Sequence, residues 1–180
     1  MHAARPERAR PRCITSAPVF APFLTMQVSS SPLFFEHQHE RLEAQLHAHL
    51  LDVVGADFDS ALQRLQRWRA DLAQHIEIEN TRLLPHVPPG ARWAARVYLV
   101  EHDRIALLAD EYLLKVRAMA QQPPQGERAR RAAVLGLLDA AHALRHVLEH
   151  HHEREHQALA HELPESLQAA AWNGVEPGGA

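Results

Sequence analysis

Cysteine is almost missing from this chain of 180 residues: the one thiol, Cys13, sits in an irregular leader. A single cysteine excludes a disulfide scaffold, a cysteine-based zinc site and paired-thiol redox chemistry within the monomer. Glycine is scarce, seven residues in all, and β-branched runs are few, while Ala, Leu, Arg, Glu and Gln are plentiful. That mixture favours helices throughout. No apolar run approaches the ~20 residues of a membrane-spanning helix, so no membrane partner is expected. Neither sign of charge dominates, since 19 basic and 22 acidic residues leave a net of -3. Nothing in that balance asks for nucleic acid or an acidic surface as partner.

What the chain has in excess is histidine, 15 residues. A solvated surface does not need so many, so some are expected to act as ligands or proton carriers. The length suits one domain with a substantial core. Residues 1–30 carry Arg5, Arg8, Arg10 and Arg12, then an apolar stretch broken by Pro18 and Pro22. With those breaks and a poor cleavage signal, it does not read as a secretory peptide. The expectation is a disordered leader, or a true start at Met26, ahead of a cytoplasmic domain.

Ser31 and Pro32 form a helix start, with Ser as N-cap and Pro in the first turn. From there Phe35, His39, Leu42, Leu46, His49, Leu50 and Val53 share a face, and Gly55 offers a stop. A second helix opens near Asp57. It turns Leu65, Trp68, Leu72, His75, Ile76, Glu79 and Leu83 inward before Pro85, and residues 86–90 are a firm breaker. A third helix, about 91–121, carries Ala95, Tyr98, His102, Ile105, Ala106, Ala109 and Leu113 on its stripe. The fourth begins near Glu127, carries Leu137, Ala141, Leu144, Leu148, His151, Glu155, Ala158 and Leu159, and stops before Pro164. Residues 164–180 are expected to be a flexible, frayed tail. Four long helices with short breakers predict an all-α, up-down-up-down four-helix bundle over residues 31–163.

Two stretches of that bundle read almost as copies: His75, Glu79 and Leu83 on the second helix repeat as His151, Glu155 and Leu159 on the fourth. At i, i+4 and i+8, one helical face presents an imidazole, a carboxylate and a leucine. The leucine marks the face as buried, and buried His and Glu need partners. His39 and His102, the single inward histidines of the first and third helices, complete a set of four imidazoles and two carboxylates. Mixed N/O ligation suits iron, manganese or zinc. Carboxylates that bridge two ions favour a dinuclear site, with iron the leading choice.

This order, His39, then His75 with Glu79, then His102, then His151 with Glu155, resembles the hemerythrin-like HHE cation-binding family over about residues 32–163. The resemblance implies two non-haem iron ions, bridged by an oxo group and the two glutamates and capped by the four histidines. It also implies an open position for dioxygen, nitric oxide or peroxide. Oxygen-carrying hemerythrins have His-x-x-x-His on one helix and a later Asp. This chain has His-x-x-x-Glu twice, so reversible oxygen carriage does not follow.

Other assignments stand beside these. A lone inward histidine is commonly a satisfied core residue, but four at matching depth with two Glu partners argue for ligands. On the fourth helix His146 with His150, and His152 with His156, are also i, i+4 pairs. His151 with Glu155 is preferred because Leu144, Leu148 and Leu159 share its stripe, which leaves the others as a solvated face. His37, two residues from His39, points away and stands as the alternative ligand on that helix. Glu43 is a further ligand, a second acceptor or an exposed ion-pair partner; Tyr98 is a donor to a bound oxygen species or a packing aromatic; Trp68 is core. A ferritin-like oxidase needs Glu-x-x-His on the second and fourth helices; Glu36 with His39 and Glu149 with His152 have that spacing, but the second helix has only His before Glu. The functional expectation is a binding or sensing module, read by an unidentified protein partner, in preference to an enzyme. The alternatives are a diiron enzyme or iron donor in peroxide or nitric oxide stress and iron–sulfur repair, metal storage through the surplus histidines, and a metal-free scaffold.

Overall fold

The computed structural model describes residues 33–174, with side chains from residue 36 onward. Cys13, Met26, the Ser31 and Pro32 helix start, the Phe35 side chain and residues 175–180 lie outside the described residues. Among the described residues every regular element is helical. Four long helices, α1 (Leu33–Val54), α2 (Phe58–Ile78), α3 (Ala95–Gln121) and α4 (Glu127–Arg154), precede two short ones, α5 (Ala160–Glu162) and α6 (Glu165–Trp172). They form a helical bundle in which α1 packs on α2, α2 on α3, α3 on α4, and α4 back on α1. Among these residues no helix is long and apolar enough to cross a membrane.

Local chemistry sets the boundaries. The Asp57 carboxylate caps α2 by accepting from the Ser60 N–H at 3.1 Å. α1 ends through Ala56 (φ 55°), not the expected Gly55. The Ala56 N–H donates to Val53 O at 2.9 Å and the Asp57 N–H to Asp52 O at 3.0 Å, a Schellman closure. The left-handed conformation costs an alanine about 1 kcal/mol, and the Ala56 side chain packs against the core in partial return. α3 opens later than expected because residues before it are held in a turn. There the Ala91 N–H bonds back to Pro88 O at 3.0 Å, and the Arg92 N–H donates to the Glu162 carboxylate at 2.6 Å.

The apolar stripes meet in two clusters. The larger contains Leu42, Leu46, Leu65, Trp68, Leu72, Ile105, Tyr112, Leu144 and Leu148. The smaller contains Ile78, Leu83, Leu84, Tyr98, Leu159, Leu163, Ala171 and Trp172. Each leucine so buried contributes about 2 kcal/mol. Ile78 is buried, while the expected Ile76 only packs against the rim of the larger cluster. His49 is enclosed in the larger cluster's layer: its Nδ1–H donates to Ala61 O at 2.8 Å, and its Nε2 accepts from the Tyr112 hydroxyl at 2.9 Å. Burial lowers its pKa, so the neutral ring ties α1 to α2 and α3.

The expected frayed tail is corrected over residues 165–172, which form α6. Gln168 is buried and its amide donates to Ala160 O and Leu163 O, both at 2.8 Å. Arg82 Nη1 donates to Ala171 O at 2.8 Å, and Trp172 enters the smaller cluster. A sequence ending in small residues hides these three fastenings, because two of them reach back to distant positions.

Candidate metal centre

Both copies of the duplicated motif leave α geometry at the same place. α2 passes into a π turn over Glu79–Leu83, and α4 passes into one over Glu155–Leu159. In an α-helix four residues advance about 400°, an overshoot of about 40°. A π turn, bonded i→i+5, advances less per residue. Leu83 and Leu159, which close the two turns, are both fully buried. The uninterrupted α-helix read from the spacing is corrected at these two turns.

His39 on α1, His75 on α2, His102 on α3 and His151 on α4 are brought together with Glu79 and Glu155, all six at 4% exposure or less. The ligand atoms of His39, His75, Glu79 and Glu155 lie within 4.8 Å of one another, as do those of Glu79, His102, His151 and Glu155. Each glutamate belongs to both groups. The Nε2 atoms of His75 and His102 lie 3.1 and 3.2 Å from the two Glu79 oxygens. Those of His39 and His151 lie 3.2 and 3.3 Å from the two Glu155 oxygens.

These separations are short, yet all four carboxylate oxygens lack a partner with hydrogen-bond geometry. Two donors on one ion, each about 2.1 Å away, sit about 3.0 Å apart at right angles and about 3.4 Å apart in a tetrahedron. The observed spacings fall in that interval. Buried carboxylate oxygens that face imidazole nitrogens at ligand–ligand distance, without hydrogen-bond geometry between them, fit a metal ion.

The rings are held from behind. The His102 Nδ1–H donates to Asn80 Oδ1 at 2.6 Å, and the His151 Nδ1–H donates to Glu101 Oε2 at 3.1 Å. Glu101 is itself paired with Arg154. His39 Nδ1 meets His156 Nε2 at 2.9 Å. His75 Nδ1 has no hydrogen-bond partner; its ring stacks instead on Trp172, centroids 5.1 Å apart and planes 25° from parallel. Partners of this kind fix ring orientation and leave Nε2 for the metal. Asn80 and His156 directly follow the two glutamates, one in each copy. Sequence reasoning missed both, although their equivalent positions in the repeat were a usable signal.

The cage carries its own charge balance. Burial and the neighbouring Glu155 push Glu79 up, but His75 and His102 outweigh them and its pKa falls to about 2. Burial is likewise overcome at Glu155 by His151, His102 and His39, which hold it well below the carboxylate range. Burial lowers His102, yet the two carboxylates outweigh that and raise it to about 9. A proton on His102 thus occupies the place a cation would take.

The competing residues fall elsewhere. His37, His146 and His150 are exposed. His152 and His156 do not form the expected solvated face. His152 is buried and stacks on His39 with centroids 3.8 Å apart, and His156 is half-buried beside the same ring. Burial and His39 push His152 down to about 2. The Glu43 carboxylate is mostly exposed and accepts from His152 Nδ1 at 3.4 Å. Tyr98 is fully buried with an unpartnered hydroxyl, which burial and Glu155 raise to about 12.

Fold and site together define a helical bundle with a buried His/Glu cluster that can hold metal. Comparison with family models, curated proteins and solved structures finds no match in any of the three.

Proposed function

We propose that this is a hemerythrin-like bundle whose six-residue cage holds two non-haem iron ions and binds or senses dioxygen, nitric oxide or peroxide. One observation carries the reading: Glu79 and Glu155 each belong to both ligand groups, and neither has an oxygen engaged in a hydrogen bond. A carboxylate serving two neighbouring ions needs both oxygens in that condition. His39 and His75 would cap one ion, His102 and His151 the other. With four protein donors each, both ions retain open positions, as sites built for exchangeable ligands do. Bound iron supplies a redox couple and a place for a small ligand to coordinate.

The chain's own residues supply the rest. The apolar cluster around Ile78, Leu83, Leu159 and Trp172 keeps bulk water from one side of the cage. The free Tyr98 hydroxyl is a buried donor within the electrostatic reach of Glu155. Trp172 links the His75 ring to α6, so a change in ring position is felt by a peripheral helix that a protein partner can read. The cyclic packing order of α1 to α4 and their short connectors support the up-down-up-down arrangement of this fold.

Anaerobic titration with ferrous iron tests the proposal. Two ions per chain are expected, with a near-ultraviolet charge-transfer band appearing on oxidation. Wild-type iron binding by both His75→Ala and His151→Ala would overturn it.

A further inference from the structure

The solvent face of α4 gathers a second set of metal-binding side chains, separate from the cage. His146, Glu149, His150 and Glu153 stand at i, i+3, i+4 and i+7, the spacing that makes neighbours of residues on successive helical turns. All four are exposed. The His146 and His150 rings meet edge to face with centroids 4.4 Å apart, and His150 Nδ1 lies 3.7 Å from Glu153 Oε2. The other oxygen of Glu153 accepts from the Gln157 amide at 2.9 Å, which steadies the carboxylate. Among the described residues the His146 and Glu149 side chains have no hydrogen bond or ion pair. Histidine is an indifferent helix former, so helix stability does not explain two of them in ring contact on an exposed face. Chelation does: two imidazoles one turn apart, flanked by carboxylates, can close on a single cation from one helix, and exposed side chains can turn to meet it.

We infer that His146 and His150, flanked by Glu149 and Glu153, form a second metal site that takes one divalent transition ion. Imidazole with carboxylate suits zinc, nickel or copper. The inference does not rest on the cage. His150 directly precedes the cage residue His151, but the two rings part company: His151 is 2% exposed, whereas His150 faces solvent. An ion held from position 146 to 153 ties together the last two turns of α4, just ahead of the turn at Glu155–Leu159.

Zinc is the probe, titrated into the full chain and followed by calorimetry and by NMR of the histidine ring nitrogens. The His146 and His150 resonances should move together and saturate at one ion. His146→Ala and His150→Ala should each weaken this binding at least as much as loss of a residue supporting a ligand does, about 10- to 100-fold. His142→Ala removes the next ring along the stripe, 6.2 Å from His146, and should leave the site intact. Glu79→Gln strikes only the cage, so the His146 and His150 response should persist in that chain; this separates failure of the cage from failure of the surface site. Zinc affinity unchanged in His146→Ala and His150→Ala would overturn the inference. So would an equal loss in His142→Ala, or ring resonances that stay in place until zinc is millimolar.

Discussion

Glu79→Gln is the most discriminating substitution because Glu79 serves both ligand groups whereas His75 serves one. The amide keeps the shape of the side chain but loses the charge and offers one weak donor oxygen. An ion present at about 100 times its Kd stabilises the folded state by about 2.7 kcal/mol, so two ions contribute about 5.4 kcal/mol. The described chain has about 140 residues; at about 2.1 cal/mol/K each, its unfolding entropy is about 0.3 kcal/mol/K. One ion then raises Tm by about 9 °C and two by about 18 °C.

Thermal unfolding followed by circular dichroism, with and without anaerobic ferrous iron, reads these gains against each variant's own metal-free Tm. Wild type should gain about 18 °C, His75→Ala about 9 °C, and Glu79→Gln less than about 5 °C. Using each variant as its own reference removes the substitution's effect on the metal-free fold. There, Glu79→Gln relieves repulsion from Glu155 but forfeits the contacts with His75 and His102. If Glu79→Gln and His75→Ala gain equally, the carboxylate is not shared. If Glu79→Gln gains as much as wild type, it is not a ligand.

Four further outcomes rest on packing and charge. His102, raised to about 9, must lose its proton to ligate, so iron loading at neutral pH should release protons; calorimetry whose heat is the same in buffers of different ionisation enthalpy would refute this. In the metal-free chain the His102 contribution is full below its ordinary value of 6.5 and lost as pH rises through about 9, while that of Glu79 is full above 4.5 and lost as pH falls through about 2. The His49 and His152 rings, which burial keeps neutral, contribute stability that is full above 6.5 and lost as pH falls below it, so denaturant midpoints should be highest near 6.5 and fall on either side. Leu144→Ala, at 1% exposure in the larger cluster, should cost about 3 kcal/mol in urea unfolding and leave iron stoichiometry unchanged. Trp172→Ala should cost about 3 kcal/mol and abolish slow hydrogen exchange in α6; retained protection there would show that Gln168 and Arg82 suffice.

The long helices were legible because their boundaries are local chemistry: the Asp57 cap, the breakers around Pro88 and Pro123, and apolar stripes at helical spacing. The convergence of His39, His75, Glu79, His102, His151 and Glu155 was legible for the same reason, since inward polar residues at matching depth must meet. The hidden features depend on contacts between distant segments. His152 looked solvated because nothing in its neighbourhood shows that His39 lies over it. α6 looked frayed because its fastenings are Arg82 and the His75 ring, far away in sequence. The π turns were invisible because a one-residue widening changes no residue type, only the direction in which the next side chains point.

Those π turns give the duplication a second level. Directly after each shared carboxylate comes the residue that holds a lone imidazole from another helix: Asn80 for His102 of α3, and His156 for His39 of α1. Each copy thus supplies a histidine and a glutamate to the cage and steadies a ligand it does not itself contain. The pairing is crossed in a testable way. Asn80 supports the group containing His102 and His151, whereas His156 supports the group containing His39 and His75. Loss of such a partner typically weakens metal binding by about 10- to 100-fold. Asn80→Leu should therefore leave one tight and one weakened ion, His156→Leu should do the same for the other ion, and the double variant should weaken both. Chelator competition resolves the two affinities, and His39→Ala in each background assigns them. In the Asn80→Leu chain His39→Ala should strike the ion that is still tight, and in the His156→Leu chain the ion already weakened. The opposite assignment, or uniform weakening by either single variant, would show that the π-turn residues act on the whole fold and not on one ligand each.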